Sequence, residues 1–245
     1  MLISGARTWL RLLCALAICC PVFAQNTTVT TQVQVLREGS TKRPKNNENV
    51  ALWLTSLDNQ PALRTTAASP AKERPRLTQK DKKFDPHILV IPVGTAVEFP
   101  NHDPFFHNVF SLFEGKRFDL GLYEAGTSRI VHFDRAGVSY IFCNIHPEMS
   151  AVVIALSTPY FGVSDSNGKI SITNVPAGRY SAQVWAEGAS AENLKILTRN
   201  ITIAGTEQSL GVFRVVEERQ PAMHKNKYGR DYDAPGSEYP PKEPK

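Results

Sequence analysis

The stretch Val138-Ser-Tyr-Ile-Phe-Cys143-Asn-Ile-His146-Pro-Glu-Met149-Ser-Ala151-Val-Val-Ile-Ala-Leu156 decides the fold. Val138 to Phe142 and Ala151 to Leu156 are short runs of β-branched, aromatic and aliphatic residues, and both read as strands. Between them, Cys143, His146 and Met149 fall within seven residues. The unit is therefore a strand, a loop rich in metal-ligating side chains, and a return strand. Similar runs surround it: Thr28 to Leu36, Asn49 to Thr55, Ile88 to Val93, Thr95 to Phe99 and Arg129 to Phe133. No window of helical length carries an amphipathic period, and Ala189 to Leu197 has room for a short turn only. The chain reads as all-β, built as one or two sandwiches.

The loop also names a chemistry. A second imidazole, His107, stands upstream in Phe105-Phe-His107-Asn108-Val. Two His, one Cys and a weakly binding Met are the ligand set of a mononuclear type 1 (blue) copper site. Thiolate and thioether suit Cu(I) and imidazole suits Cu(II), so a mixed set serves both oxidation states with little reorganisation. Cys143, His146 and Met149 come from one loop, and His107 must come from a strand facing it.

The N-terminus reads as an export signal. Arg7 and Arg11 precede the apolar run Leu12 to Cys20, and Val22-Phe-Ala24 is a small-residue cleavage pattern before Gln25. The run is short for a membrane span, and no later segment is long enough to try, so the mature chain is expected to have none. An uncleaved anchor is the alternative. A lipid-modified cysteine at Cys19 or Cys20 fits less well with Ile18 and Cys19 as the preceding residues. Removal of residues 1–24 takes Cys14, Cys19 and Cys20 with it and leaves Cys143 as the sole thiol. A lone Cys outside the cytoplasm has no internal disulfide partner, which favours a ligand over an inert buried residue. Cleavage also lowers the net charge from +5 to +3, too mild and dispersed for nucleic-acid binding.

Three boundaries divide the rest. Residues 25–63 supply N-terminal strands. Residues 64–83, rich in Ala, Ser, Pro and Lys or Arg, read as a linker, either simply solvated or a docking patch for an acidic redox partner. Thr158-Pro159 opens a new unit over 158–216. Asn167-Gly168 is a hairpin-turn signal there, and Ile170, Ile172 and Val175 alternate, as do Tyr180, Ala182 and Val184. From Glu217 to Lys245 the chain is charged and Pro-rich without apolar period, and reads as a disordered tail.

The segments Val93-Gly-Thr-Ala-Val-Glu-Phe-Pro-Asn101, Phe106-His-Asn-Val-Phe-Ser111 and Cys143-Asn-Ile-His-Pro-Glu-Met149 resemble the cupredoxins, and among them the plastocyanin and amicyanin group. The short His146-to-Met149 gap is similar to that of amicyanin and pseudoazurin. The resemblance covers roughly Phe84 to Leu156 and implies a Greek-key sandwich over residues 84–157. It implies one copper ion with His107, Cys143 and His146 equatorial and Met149 axial. It also implies that Asn108 pins the Cys143 loop by hydrogen bonding, and that the His146 ring edge is the electron port.

The longer chain resembles exported proteins labelled methylamine utilisation proteins. Phe161 to Trp185 is similar to the second half of carboxypeptidase-regulatory-like (transthyretin-like) domains, and Val33 to Leu36 with Asn49 to Leu54 looks like the first half. The cupredoxin unit is then expected to be inserted into a discontinuous transthyretin-like sandwich; two domains in series is the simpler alternative.

The other histidines, His87, His102, His132 and His224, read as surface residues, although His102 with Asp103 is a candidate for a second, weaker metal site. Cys-x-x-Cys-His for haem attachment does not occur. A Cys143–His146 hydrolase pair has no use for a Met in the same loop, and structural zinc would not select one. The expected function is an exported electron shuttle between transient redox partner proteins, with an apolar rim at Phe105, Phe106 and Pro147, and not an enzyme. Copper delivery to another exported protein, or a non-redox interaction module, are the competing expectations.

Overall fold

The computed structural model describes residues 26–37, 46–58, 73–112, 115–218 and 224–232. The expected export signal, residues 64–72 of the expected linker, and residues 219–223 and 233–245 of the expected tail lie outside these. The protein is all-β, and α1 (Ala191–Ile196) is the one helix among the described residues. Ser190 caps it by accepting from the Asn193 amide.

Strands from both ends of the chain share one sandwich. β1 (Asn26–Arg37) lies between β13 (Lys169–Pro176), antiparallel, and β16 (Glu207–Glu217), parallel. β2 (Val50–Ser56) lies between β12 (Phe161–Val163) and β14 (Gly178–Ala186), and β14 also pairs with β15 (Arg199–Ile203). These two sheets enclose Val29, Val33, Leu52, Leu54, Ile172, Val184, Phe213 and Val215, all buried. Residues 78–156 thus leave from β2 and return at β12. The Asn167-Gly168 turn does not close a hairpin, because β12 and β13 belong to different sheets. It carries the chain across the core instead, and the Gly168 carbonyl accepts from Val33 N at 2.7 Å. Gly168 has φ +82°, and a Cβ there would collide with the Val33 carbonyl.

The segment between contributes a five-stranded sheet. Its order is β5 (Ile88–Pro92), β11 (Ser150–Leu156), β10 (Gly137–Cys143), β7 (His107–Ser111) and β8 (Phe118–Tyr123). Opposite it stand the pair β6 (Thr95–Pro100) and β9 (Ser128–Phe133) and the hairpin β3 (Thr78–Lys80) with β4 (Lys83–Asp85). The expected linker to Lys83 therefore ends earlier, because residues 78–85 are hairpin. Its two turn residues, Asp81 and Lys82, both take φ of +54°, as a tight hairpin turn requires. Neither is glycine, so the usual sequence signal is missing.

Period-2 alternation on β11 explains how the sandwiches join. Ala151, Val153 and Ala155 face the core shared with Phe99, Phe133 and Ile141, whereas Val152, Ile154 and Leu156 face the other way. There they meet Ala51 and Trp185 of the second sandwich. Both faces of this sheet are buried, which is why Val152 to Leu156 is an unbroken apolar run. Each such fully buried side chain is worth about 1.5–3 kcal/mol relative to exposure.

His87 fastens the edge of that interface. Its Nδ1 lies 3.2 Å from Ser150 O and its Nε2 2.7 Å from Glu187 Oε2. The hydrogen bond to the Glu187 carboxylate raises the His87 pKa above its ordinary 6.5, with burial opposing. A folded-state value above the unfolded one gives stabilisation that is complete below the unfolded value and lost as pH rises through the folded one. Denaturation midpoints from about pH 5.5 to 9 should therefore fall in the wild type across that upper window and stay flatter in Glu187→Gln. Parallel curves for the two proteins would remove the ion pair from the account.

Candidate metal centre

Three side chains, those of His107, Cys143 and His146, converge at one end of the five-stranded sheet, and Met149 is buried in the adjoining core. On β10 the inward positions are Ser139, Ile141 and Cys143, so alternation carries the Cys143 thiol into the core at 0% exposure. Cys143 pairs with Val109 of β7, whose first residue, His107, is also fully buried. The loop after Cys143 is closed on itself. Cys143 N donates to Met149 O at 3.2 Å, and Met149 N donates to His146 O at 3.1 Å. This brings half-buried His146 over Cys143 and places Met149, at 0% exposure, in the same core cluster as the thiol.

Cys143 Sγ lies 3.6 Å from His107 Nδ1 and 3.6 Å from His146 Nδ1. Among the described residues, these three form the group whose ligand atoms meet within 4.8 Å. A first-row ion such as zinc, bonded at about 2.3 Å to thiolate and about 2.0 Å to imidazole near the tetrahedral angle, sets sulfur and nitrogen about 3.5 Å apart. The spacing fits one ion. Burial pushes the Cys143 thiol above its ordinary range, against backbone amides of Ile145, Asn108 and His146 that favour the thiolate. Burial and the neighbouring His107 lower the pKa of His146, favouring the neutral ring that a metal needs.

Around the donors, the expected Asn108 acts through its backbone. Its carbonyl accepts from Asn144 N at 2.9 Å, while its side-chain Nδ2 donates to Asp119 Oδ1 at 2.7 Å. Phe105 packs against both imidazoles, 5.3 Å from His107 and 5.5 Å from His146 between ring centroids. His102 and His132 are exposed.

The contact of Asp103 with His107 is not legible in the sequence. Whereas its candidate partner His102 is exposed, Asp103 is buried with its Oδ2 2.8 Å from His107 Nε2. The turn amides of Asp81 and Lys82 donate to the same carboxylate at 2.6 and 3.1 Å. Burial pushes the Asp103 pKa up, but His107 and those two amides more than offset it, and the net direction is down. The carboxylate holds Nε2 and so leaves His107 Nδ1 free to face Cys143. The i,i+4 spacing of Asp103 and His107 was visible in the sequence, but the hairpin that buries the pair was not.

No family model matches the chain, and neither does any curated protein. Solved structures do match part of it. A purple cupredoxin from Nitrosopumilus maritimus is similar at 26% identity over 34% of this chain and 99% of its own, with a TM-score of 0.31. A copper-containing nitrite reductase (NirK) from Thermus scotoductus SA-01 is similar at 26% identity over 42% of this chain and 28% of its own, with a TM-score of 0.34. A reduced amicyanin variant is similar at 21% identity over 42% of this chain and 98% of its own, with a TM-score of 0.33. In each case the likeness spans less than half of this chain.

Proposed function

We propose that the protein is a type 1 copper protein of the cupredoxin kind that relays single electrons between partner proteins outside the cytoplasm. The observation that carries this reading is the triangle of His107 Nδ1, Cys143 Sγ and His146 Nδ1, with both sulfur–nitrogen separations 3.6 Å. His107, Cys143 and His146 hold one ion, with Met149 as the weak fourth ligand. Copper bound there supplies one-electron chemistry through the Cu(II)/Cu(I) pair.

The chain's own residues do the rest. Asp103 fixes the His107 ring, and the amides of Asn108, Ile145 and His146 favour the thiolate. The core around Val109, Tyr123, Ile141 and Met149 excludes water. The half-buried ring of His146 is the electron port. Near it, exposed Phe106 and Ile145 offer a small apolar surface suited to brief encounters rather than a lasting complex. Such a relay makes no covalent change to a substrate, so the protein is not an enzyme in this reading. The Arg7-to-Ala24 signal pattern and the lone thiol left after it support export.

The test is the visible absorption and electron spin resonance of the mature protein titrated with Cu(II), beside Cys143→Ser. One equivalent should give an intense sulfur-to-copper band in the wild type and none in the variant. A wild type without that band ends the proposal. With the band present, fast electron exchange supports the relay, whereas rapid copper transfer to an acceptor chelator supports a delivery protein.

A further inference from the structure

Residues 224–232 were expected to have no fixed structure, yet they lie against the end of β10, far from them in sequence. Three consecutive residues there are each held by one residue of this segment. The His224 ring stacks on Phe142, with centroids 4.2 Å apart and planes 23° from parallel. The Tyr232 hydroxyl donates to the Cys143 carbonyl at 2.6 Å. Lys227 N donates to Asn144 Oδ1 at 2.8 Å.

Lys227 also closes a ring of contacts. Its Nζ lies 2.9 Å from Asp119 Oδ2, Asp119 Oδ1 accepts from the Asn108 side chain, and the Asn108 carbonyl accepts from Asn144 N. The circuit passes from the C-terminal segment through β8 and β7 to the ligand loop and back. A segment that only covered apolar surface would not need hydrogen bonds to the backbone and side chains of residues flanking the thiol.

We propose that residues 224–232 are an intramolecular clasp on the Cys143–Met149 loop, with Tyr232 and Lys227 as positioning residues for the metal ligands. The proposal rests on the copper reading for its consequence, but its mechanical content is independent of metal. A net hydrogen bond is worth about 1 kcal/mol, roughly a fivefold change in an opening equilibrium. The clasp thereby limits how far Cys143 and His146 move apart, which slows metal loss and keeps one ligand geometry for both oxidation states.

The decisive experiment uses the full mature chain as wild type, Tyr232→Phe and His224→Ala. Amide hydrogen exchange is read without metal at Cys143 and Met149, whose N–H groups are hydrogen-bonded within the loop, and at Asn144, whose N–H ties the loop to Asn108 O on β7. Copper release to a chelator and the visible spectrum are read after loading. Tyr232→Phe should speed exchange at these amides about fivefold, with amides of β1 and β16 unchanged. It should speed copper release similarly and shift the visible band. Equal acceleration everywhere would mean that Tyr232 adds only general stability, and the clasp would be overturned. Unchanged loop exchange in both variants would overturn it too, while an intact blue band left the copper reading standing. Faster loop exchange in proteins that never show the band, wild type included, would uphold the clasp and remove the copper reading.

Discussion

Asp103→Asn should weaken copper binding by about 10- to 100-fold and cost the apo protein about 3 kcal/mol of stability. The reason is a count of donors. The carboxylate accepts from Asp81 N, Lys82 N and His107 Nε2, and every one of these is a donor when His107 Nδ1 faces the metal. Asparagine has the same shape but only one accepting atom. If its oxygen stands where Oδ1 accepts from Asp81 N, its NH2 confronts both Lys82 N–H and His107 Nε2–H. If the oxygen stands where Oδ2 serves Lys82 N and His107 Nε2, the NH2 confronts Asp81 N–H. Either way a buried donor faces donors, at 4% exposure. Competition titration against a Cu(I) chelator reads the first effect, and urea denaturation of the apo protein the second. Wild-type values in both would mean that the His107 ring is held by its own packing and that Asp103 is incidental.

Phe213→Ala should destabilise the protein by about 3–5 kcal/mol, the usual cost of emptying a buried ring. Phe213 is at 0% exposure in the core between β1, β2, β13 and β14, and its neighbours are strands from opposite ends of the chain. The Arg199 guanidinium lies 3.9 Å from its ring centroid and also donates to the Leu210 and Val212 carbonyls. Truncation therefore leaves both a cavity and an unsupported cation. Because β1 pairs with β16 from Thr28 to Arg37, with one register shift between Thr30 and Gln32, the loss falls on the contact that closes the discontinuous sandwich. Chemical denaturation measures it. The folded fraction should keep the wild-type copper spectrum, since Phe213 does not belong to the core that holds Cys143. A loss below about 1 kcal/mol would mean that the site collapses around the vacancy.

The candidate ligand loop was legible because its chemistry is local. Cys143, His146 and Met149 sit in one turn between two strands, and the alternation that buries Ile141 also buries Cys143. His107 was legible by residue type, although nothing in its own strand says which loop it faces. Asp103 was read in the wrong company. Its sequence neighbour His102 suggested a shared site, but the hairpin over 78–85 supplies two amides that turn the carboxylate toward His107 instead. Asn167-Gly168 announced a tight turn correctly and its consequence wrongly, since turn chemistry sets the backbone angles and not the sheet that each flanking strand joins.

The sequence by itself determined the all-β class, most of the strand positions and the candidate donors, because side-chain alternation and ligand spacing are properties of a few adjacent residues. Tertiary structure alone decided the rest. It paired β1 with β16 across nearly the whole chain, and it buried the outer face of β11 against Ala51 and Trp185. It also brought Asp103 to His107 and Tyr232 to the Cys143 carbonyl. Each of these joins groups through space that have no common period along the chain, so only the packing of the sheets determines where they meet.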